Sequence, residues 1–215
     1  MPRIIDLSIN LDAATLVYPG DKPLGLEWLT RIPKTAYNLS SLTMGPHTGT
    51  HVDAPLHFTE GGAAIGRMNP SLFIGEAVCI DCPKIEGENV TPADLDGADI
   101  RKGDIVLFRT GWEERSGTLR FFTGEYPGFE PALIEELARR GVKATGFDSP
   151  SADGQKALAA GAPAHKAAAR LSLPIYESLV NLAEVVGKRF MFSGQPRRLM
   201  EAEASPVRAV AVLQD

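Results

Sequence analysis

One short run restricts this chain more than any other feature. His47-Thr48-Gly49-Thr50-His51-Val52-Asp53-Ala54-Pro55-Leu56-His57-Phe58 holds three of its four histidines and an interleaved aspartate. Positions 47, 51, 53 and 57 share parity, so a straight strand would align them on one face but spread 47 to 53 over roughly 20 Å. A helix would bring His47 and His51 together, yet Gly49, two threonines, Val52 and Pro55 are poor helix residues, and Asp53 would point elsewhere. The segment has to bend. Gly49 can take the positive φ that gathers its neighbours, and Pro55 stiffens the exit and aims His57 at the same cavity.

Imidazole and carboxylate are the usual ligands of zinc and similar divalent ions, and His-x3-His-x-Asp offers two nitrogens and an oxygen within one bend. Three ligands plus a water suffice for catalysis. Partly exposed histidines with separate hydrogen bonds would explain a lone histidine. A cluster with an aspartate inside it, followed by apolar Pro-Leu-His-Phe, reads better as a metal or catalytic site. Thr48 and Thr50 are placed to bond the groups behind the ligands. His165 sits near the start of a predicted helix, and Glu177 lies among apolar residues in Leu173-Pro174-Ile175-Tyr176-Glu177-Ser178-Leu179. A buried carboxylate needs a cation, a hydrogen-bond network or a shifted pKa. Spacing alone leaves open whether His165 and Glu177 join the site.

The 21 glycines and 16 prolines are spread along the chain, which implies many turns and short elements. Apolar and β-branched runs predict strands over 4–11, 37–44, 72–80, 104–109, 142–147 and 207–213. Helices are predicted over 131–140, with Pro131 in the first turn and Gly141 at the C-terminal cap, and over 163–171, stopped by Pro174. Helix 131–140 followed by strand 142–147 reads as an α/β crossover, so the expected fold is a β-rich α/β domain with a mixed sheet and few helices, one unit over residues 1–215. With 22 basic and 27 acidic residues the net charge is −5, which argues against a nucleic-acid partner. No apolar run is long enough to span a membrane and the start does not read as a signal peptide, so a cytoplasmic protein is expected. Cys79 and Cys82 form a lone C-x-x-C followed by Pro83, better suited to buried small hydrophobes at a strand end than to a redox pair.

The histidine run resembles the signature of the cyclase-like metal-dependent hydrolases, a family whose best-known members are bacterial kynurenine formamidases. Tyr18-Pro19-Gly20-Asp21 is similar to the family's W-P-G-D, Arg109-Thr110-Gly111-Trp112 to its R-T-G-W, Gly146 to Asp153 to its G-x-D-x-x-S-x-D, and Ser205-Pro206-Val207-Arg208-Ala209 to its S-P-V-R-A. The resemblance implies a swivelling β/β/α domain, a homodimer, and two divalent ions per subunit, zinc or in some members manganese. It places the ligands on His47, His51, Asp53, His165 and Glu177, with Asp53 bridging, the catalytic histidine on His57, and a substrate-facing aromatic on Tyr18, where the family's tryptophan gives way to a ring with a hydroxyl. The implied reaction is hydrolysis of an aryl formamide, N-formyl-L-kynurenine to L-kynurenine and formate in tryptophan breakdown. A cyclic amide or lactone such as isatin is the alternative substrate, and a non-catalytic metal-binding protein the alternative of another class. Arg197 or Arg198 could read a substrate carboxylate, against the more ordinary reading of solvated surface arginines.

Overall fold

Short elements dominate, as the scattered glycine and proline require. The computed structural model describes residues 2–214. Its strands are β1 (Arg3–Asp6), β2 (Gly25–Thr30), β3 (Leu39–Thr43), β4 (His51–Asp53), β5 (Ile74–Asp81), β6 (Ile105–Arg109), β7 (Ala144–Phe147), β8 (Ile175–Glu177), β9 (Arg189–Ser193), β10 (Ala204–Pro206) and β11 (Val210–Leu213). Its helices are α1 (Leu119–Thr123), α2 (Pro131–Arg139), α3 (Gln155–Ala159) and α4 (Pro163–Leu171), with several 3₁₀ turns between. Nine strands form one mixed sheet in the order β1-β11-β9-β5-β6-β7-β8-β4-β10, while β2 and β3 pair as a separate hairpin. Neighbours from β5 to β8 run parallel and the other pairs antiparallel.

The middle of the sheet shows why a continuous apolar run becomes a strand here. In β6, Ile105 and Leu107 enter one core with Leu7, Ala77, Tyr176, Phe190 and Phe192. The alternate residues Val106 and Phe108 enter a second core beneath the helices, with Leu133, Ile134 and Leu137 of α2 and Ala164, Ala167 and Ala168 of α4. A strand covered on both faces has no polar side to show, as expected for parallel strands flanked by helices. Both predicted helices form, α4 over its predicted range and α2 one residue short. Pro131 opens α2, and Gly141 just beyond it has φ +76°, the left-handed conformation that ends helices.

The predicted strands form in shortened versions, and β2, β4, β8, β9 and β10 add to them. Three-residue strands such as β4, β8 and β10 hold too few positions to show a period, and their existence depends on the neighbour they pair with. Strand 4–11 ends at Asp6, whose Oδ1 accepts the Ser8 N–H and turns the chain. Cys79 and Cys82 are buried and unlinked, and burial raises both thiols, Cys82 to about 12. That is the opposite of what a reactive dithiol needs.

Candidate active site

The parallel strands deliver their carboxyl ends to one place, where α/β sheets commonly bind ligands. Glu177 is the last residue of β8, and the chain leaving β7 runs through Pro150 and Ser151, which line the cavity there. β4 lies antiparallel to β8 in a register that sets His51 opposite Glu177 and Asp53 opposite Ile175. Cross-strand neighbours and residues two apart on one strand share a face. The pairing thus puts His51, Asp53 and Glu177 together. The bend is confirmed: the chain turns at Gly45–Thr48, Gly49 has φ +68°, and the His47 ring folds back to 4.9 Å from that of His51. The left-handed conformation favours glycine there, and a Cβ would lie 2.7 Å from Leu11 Cδ2, the end of an exposed side chain that would have to turn aside. Thr50 Oγ1 donates to the Ser178 carbonyl at 2.6 Å, tying the bend to the chain just beyond Glu177. Pro55–His57 form a 3₁₀ turn that returns His57, its ring 4.3 Å from that of His47.

His165 arrives in the first turn of α4, so the structure brings all six predicted residues into one cluster around Asp53. His47 Nδ1 is 3.1 Å and His51 Nε2 3.5 Å from Asp53 Oδ1, and His165 Nε2 is 3.5 Å and His57 Nε2 3.9 Å from Oδ2. His51 Nε2 and His165 Nε2 lie 3.3 and 3.2 Å from the two oxygens of Glu177. Among the described residues, two sets hold ligand atoms close enough to share an ion: His47, Asp53 and His57, and His51, Asp53 and Glu177. Asp53 belongs to both.

The hydrogen bonds around the cluster show what it lacks. His51 Nδ1 faces the Gly49 carbonyl at 2.9 Å and His165 Nδ1 faces a carboxylate oxygen of Asp153 at 2.6 Å. Those oxygens only accept, so each Nδ1 carries the proton, and in a neutral ring Nε2 is left with a lone pair. Those lone pairs point at carboxylate oxygens. His51 Nε2, His47 Nε2 and both oxygens of Asp53 are buried with no hydrogen-bond partner among the described residues. Acceptors converging on acceptors in a buried site call for a cation between them, and a divalent metal suits two-nitrogen, two-carboxylate surroundings.

The charges agree with the geometry. Burial alone would lower His47, but the Asp53 carboxylate beside its ring and the nearby Glu177 and Glu203 carboxylates raise it to about 9. Burial likewise opposes, and Asp153, Asp53 and Glu177 outweigh it, so that His165 rises well above its ordinary value. Against their own burial, Asp53 is held low by His165, His47 and His51, and Glu177, further opposed by Asp53, by His165 and His51. The two carboxylates thus favour positive charge at the centre of the cluster. His57 differs: burial pushes it down, leaving its imidazole neutral near pH 7.

A cavity of about 210 Å³ opens onto His47, His51, His57, His165 and Glu177. Tyr18 is in its wall, edge-on to Phe122 at 6.0 Å, with its hydroxyl 3.3 Å from that of buried Tyr126. Phe58, Phe122, Leu158 and Asp21 share the wall and carried no role in the sequence reading, although Phe58 and Asp21 sit inside the quoted motifs. Arg197 and Arg198 line surface grooves with Gln195 and Pro196 instead.

Residues 5–154 match the Cyclase family, and the chain is 35% identical over 211 residues to a kynurenine formamidase of Bordetella pertussis, spanning 98% of both chains. The chain belongs to the cyclase family. A kynurenine formamidase of Delftia acidovorans shares 36% identity with this cyclase-family chain over 97% of it and 96% of the relative. Isatin hydrolase A from Ralstonia solanacearum superimposes with a TM-score of 0.88 at 25% identity, over 99% of this chain and 92% of that one. A structure described as a potential metal-dependent hydrolase with cyclase activity gives a TM-score of 0.82 at 25% identity over the whole of both chains.

Proposed function

We propose that this cyclase-family hydrolase is an arylformamidase, cleaving N-formyl-L-kynurenine to L-kynurenine and formate, with His47, His51, Asp53, His165 and Glu177 as the ligands of divalent metal. The observation that carries the metal part is the set of buried, unpaired acceptors centred on Asp53. The relatives named kynurenine formamidase support the substrate. Zinc suits the nitrogen-rich donor set, and manganese is the alternative. Bound there, the metal supplies Lewis-acid polarisation and a water of lowered pKa.

The chain's own residues do the rest. Tyr18, Phe58 and Phe122 form an aromatic wall against the substrate ring, in a cavity larger than the roughly 150 Å³ that admits benzene. His57, kept neutral by burial and open to the cavity, takes a proton from the attacking water at Nε2. As the new carbon–oxygen bond forms and the carbon–nitrogen bond breaks, the same imidazolium returns the proton to the departing aryl amine. Formate keeps the oxygen from water. Asp53, 3.9 Å from His57 Nε2, favours the imidazolium while it exists.

One observation favours a second substrate. Among the described residues, Asp21 is the one charged side chain lining the cavity outside the histidine and carboxylate cluster, and no lysine or arginine lines it, which suits a neutral cyclic amide such as isatin. Initial rates on N-formyl-L-kynurenine and on isatin, with one preparation, decide between them. Kynurenine release at least tenfold faster than isatin opening is expected, and opening of isatin alone would move the assignment to the cyclic amide.

A further inference from the structure

The mechanism above gives no part to Asp153, yet its carboxylate is fully buried at the back of the site. Oδ2 accepts the His165 ring Nδ1–H at 2.6 Å and the His165 backbone N–H at 3.0 Å, and Oδ1 accepts the Ala164 N–H at 2.9 Å. Both amides belong to the first turn of α4, whose N-cap, Ala162, has no side chain to offer. One carboxylate therefore caps the helix and grips the imidazole that the helix carries. The preceding residue, Ala152, donates its backbone N–H to Glu177 Oε1 at 2.5 Å. Two adjacent residues beyond β7 thus hold His165 and Glu177, while His51 is held separately by a carbonyl of its own bend.

We infer that Asp153 is the positioning residue for one of two metal positions, holding His165 in the Nδ1–H tautomer so that Nε2 presents its lone pair beside Asp53 and Glu177. The inference rests on the metal reading proposed above. A carboxylate can only accept, so the proton stays on Nδ1 and the far nitrogen stays free, and the negative charge makes the imidazole a more basic ligand. Asparagine has the same shape and still offers one oxygen to the α4 amides. With its oxygen in the place of Oδ2 it keeps both His165 bonds but loses the negative charge and sets its nitrogen against the Ala164 N–H; with its nitrogen there it faces the His165 N–H and puts a donor on Nδ1, which moves the ring proton to Nε2, where the metal would bind. The position served by the His47–Asp53 bend does not depend on Asp153.

Zinc titration of metal-stripped protein against a chromophoric chelator tests this, with thermal unfolding of the metal-free forms measured alongside. The wild type is expected to bind two equivalents. In Asp153→Asn one should keep its affinity and the other weaken by about 10- to 100-fold, the usual loss when a ligand's supporting partner is removed. Asp153→Ala, which removes the cap as well, should show the same loss for the one position and a lower metal-free melting temperature. Wild-type affinity at both positions of Asp153→Asn, or a single equivalent in the wild type, would overturn the inference. No zinc on the wild type would instead sink the metal reading beneath it. Should neither variant fold, nitrogen NMR of the zinc-loaded wild type decides: zinc on His165 Nε2 with a proton on Nδ1 supports the role, and zinc on Nδ1 contradicts it.

Discussion

The two halves of the site are built in different ways. His47, His51, Asp53 and His57 come from one bend of the chain, positioned by a left-handed glycine, a three-residue strand and a 3₁₀ turn. His165 and Glu177 come from a helix and a strand more than a hundred residues later, and are held by the loop that follows β7. The near half is set mainly by local backbone geometry. The far half is set by tertiary packing, because nothing in the stretch between His165 and Glu177 draws them together until α4 covers the sheet and β8 pairs with β4. The consequence is a division of labour. The near half can carry a mobile proton on His57, whose side chain is 29% exposed, while His165 and Glu177 of the far half are each about 4% exposed and meet the cavity only at its floor.

That division can be broken from the largest effect downward. His51→Ala removes a nitrogen that faces both carboxylates, so metal content should fall below half of wild type and turnover by roughly 10³-fold or more, several kcal/mol of lost charge stabilisation. Metal analysis beside an activity assay reads both numbers. Full metal content in this variant would show that the near half is not where the ion is held. His57→Ala should leave metal content unchanged and reduce turnover by about 10²- to 10⁴-fold, the range for a lost general acid–base group. Near-normal turnover would remove His57 from the chemistry and leave the two halves with one role.

The smallest effect lies away from both halves. Burial would raise the Asp94 carboxyl, but Lys84 and Thr91 hold it below its ordinary value. A carboxyl held low stabilises the fold above its ordinary pKa, and the contribution is lost as pH falls through the lowered one. Asp94→Asn should therefore cost about 0.5–1 kcal/mol at pH 7, and the gap to wild type should narrow as the pH falls through the lowered carboxyl value. Urea unfolding at pH 7 and in acid below the ordinary carboxylate range measures it. An unchanged gap would assign the cost to the shape of the capping turn, and metal binding at pH 7 should match that of the wild type.

The same contrast explains what could be read from the chain. The near half was legible because its chemistry is local: Gly49 and the shared parity of four residues dictate a bend before any tertiary contact exists. His165 and Glu177 entered through resemblance to a family, since neither helix period nor strand alternation brings residues from two elements together. β4 and β8 are three residues each and show no period, yet their register sets His51 against Glu177. Asp153 was visible only as a letter of a motif, because its work depends on the direction of an imidazole nitrogen. Arg197 and Arg198 show the converse: charge in sequence says nothing about which groove a side chain lines.

The central claim is that the Asp53-centred cluster works by holding metal. The direct measurement is to strip the protein with a chelator, return zinc in sub-stoichiometric steps, and follow bound metal and hydrolysis of N-formyl-L-kynurenine and isatin on the same samples. The account predicts that activity on one of these substrates disappears with the metal and returns in proportion to it. Full activity on either substrate with less than a tenth of an equivalent bound would contradict it.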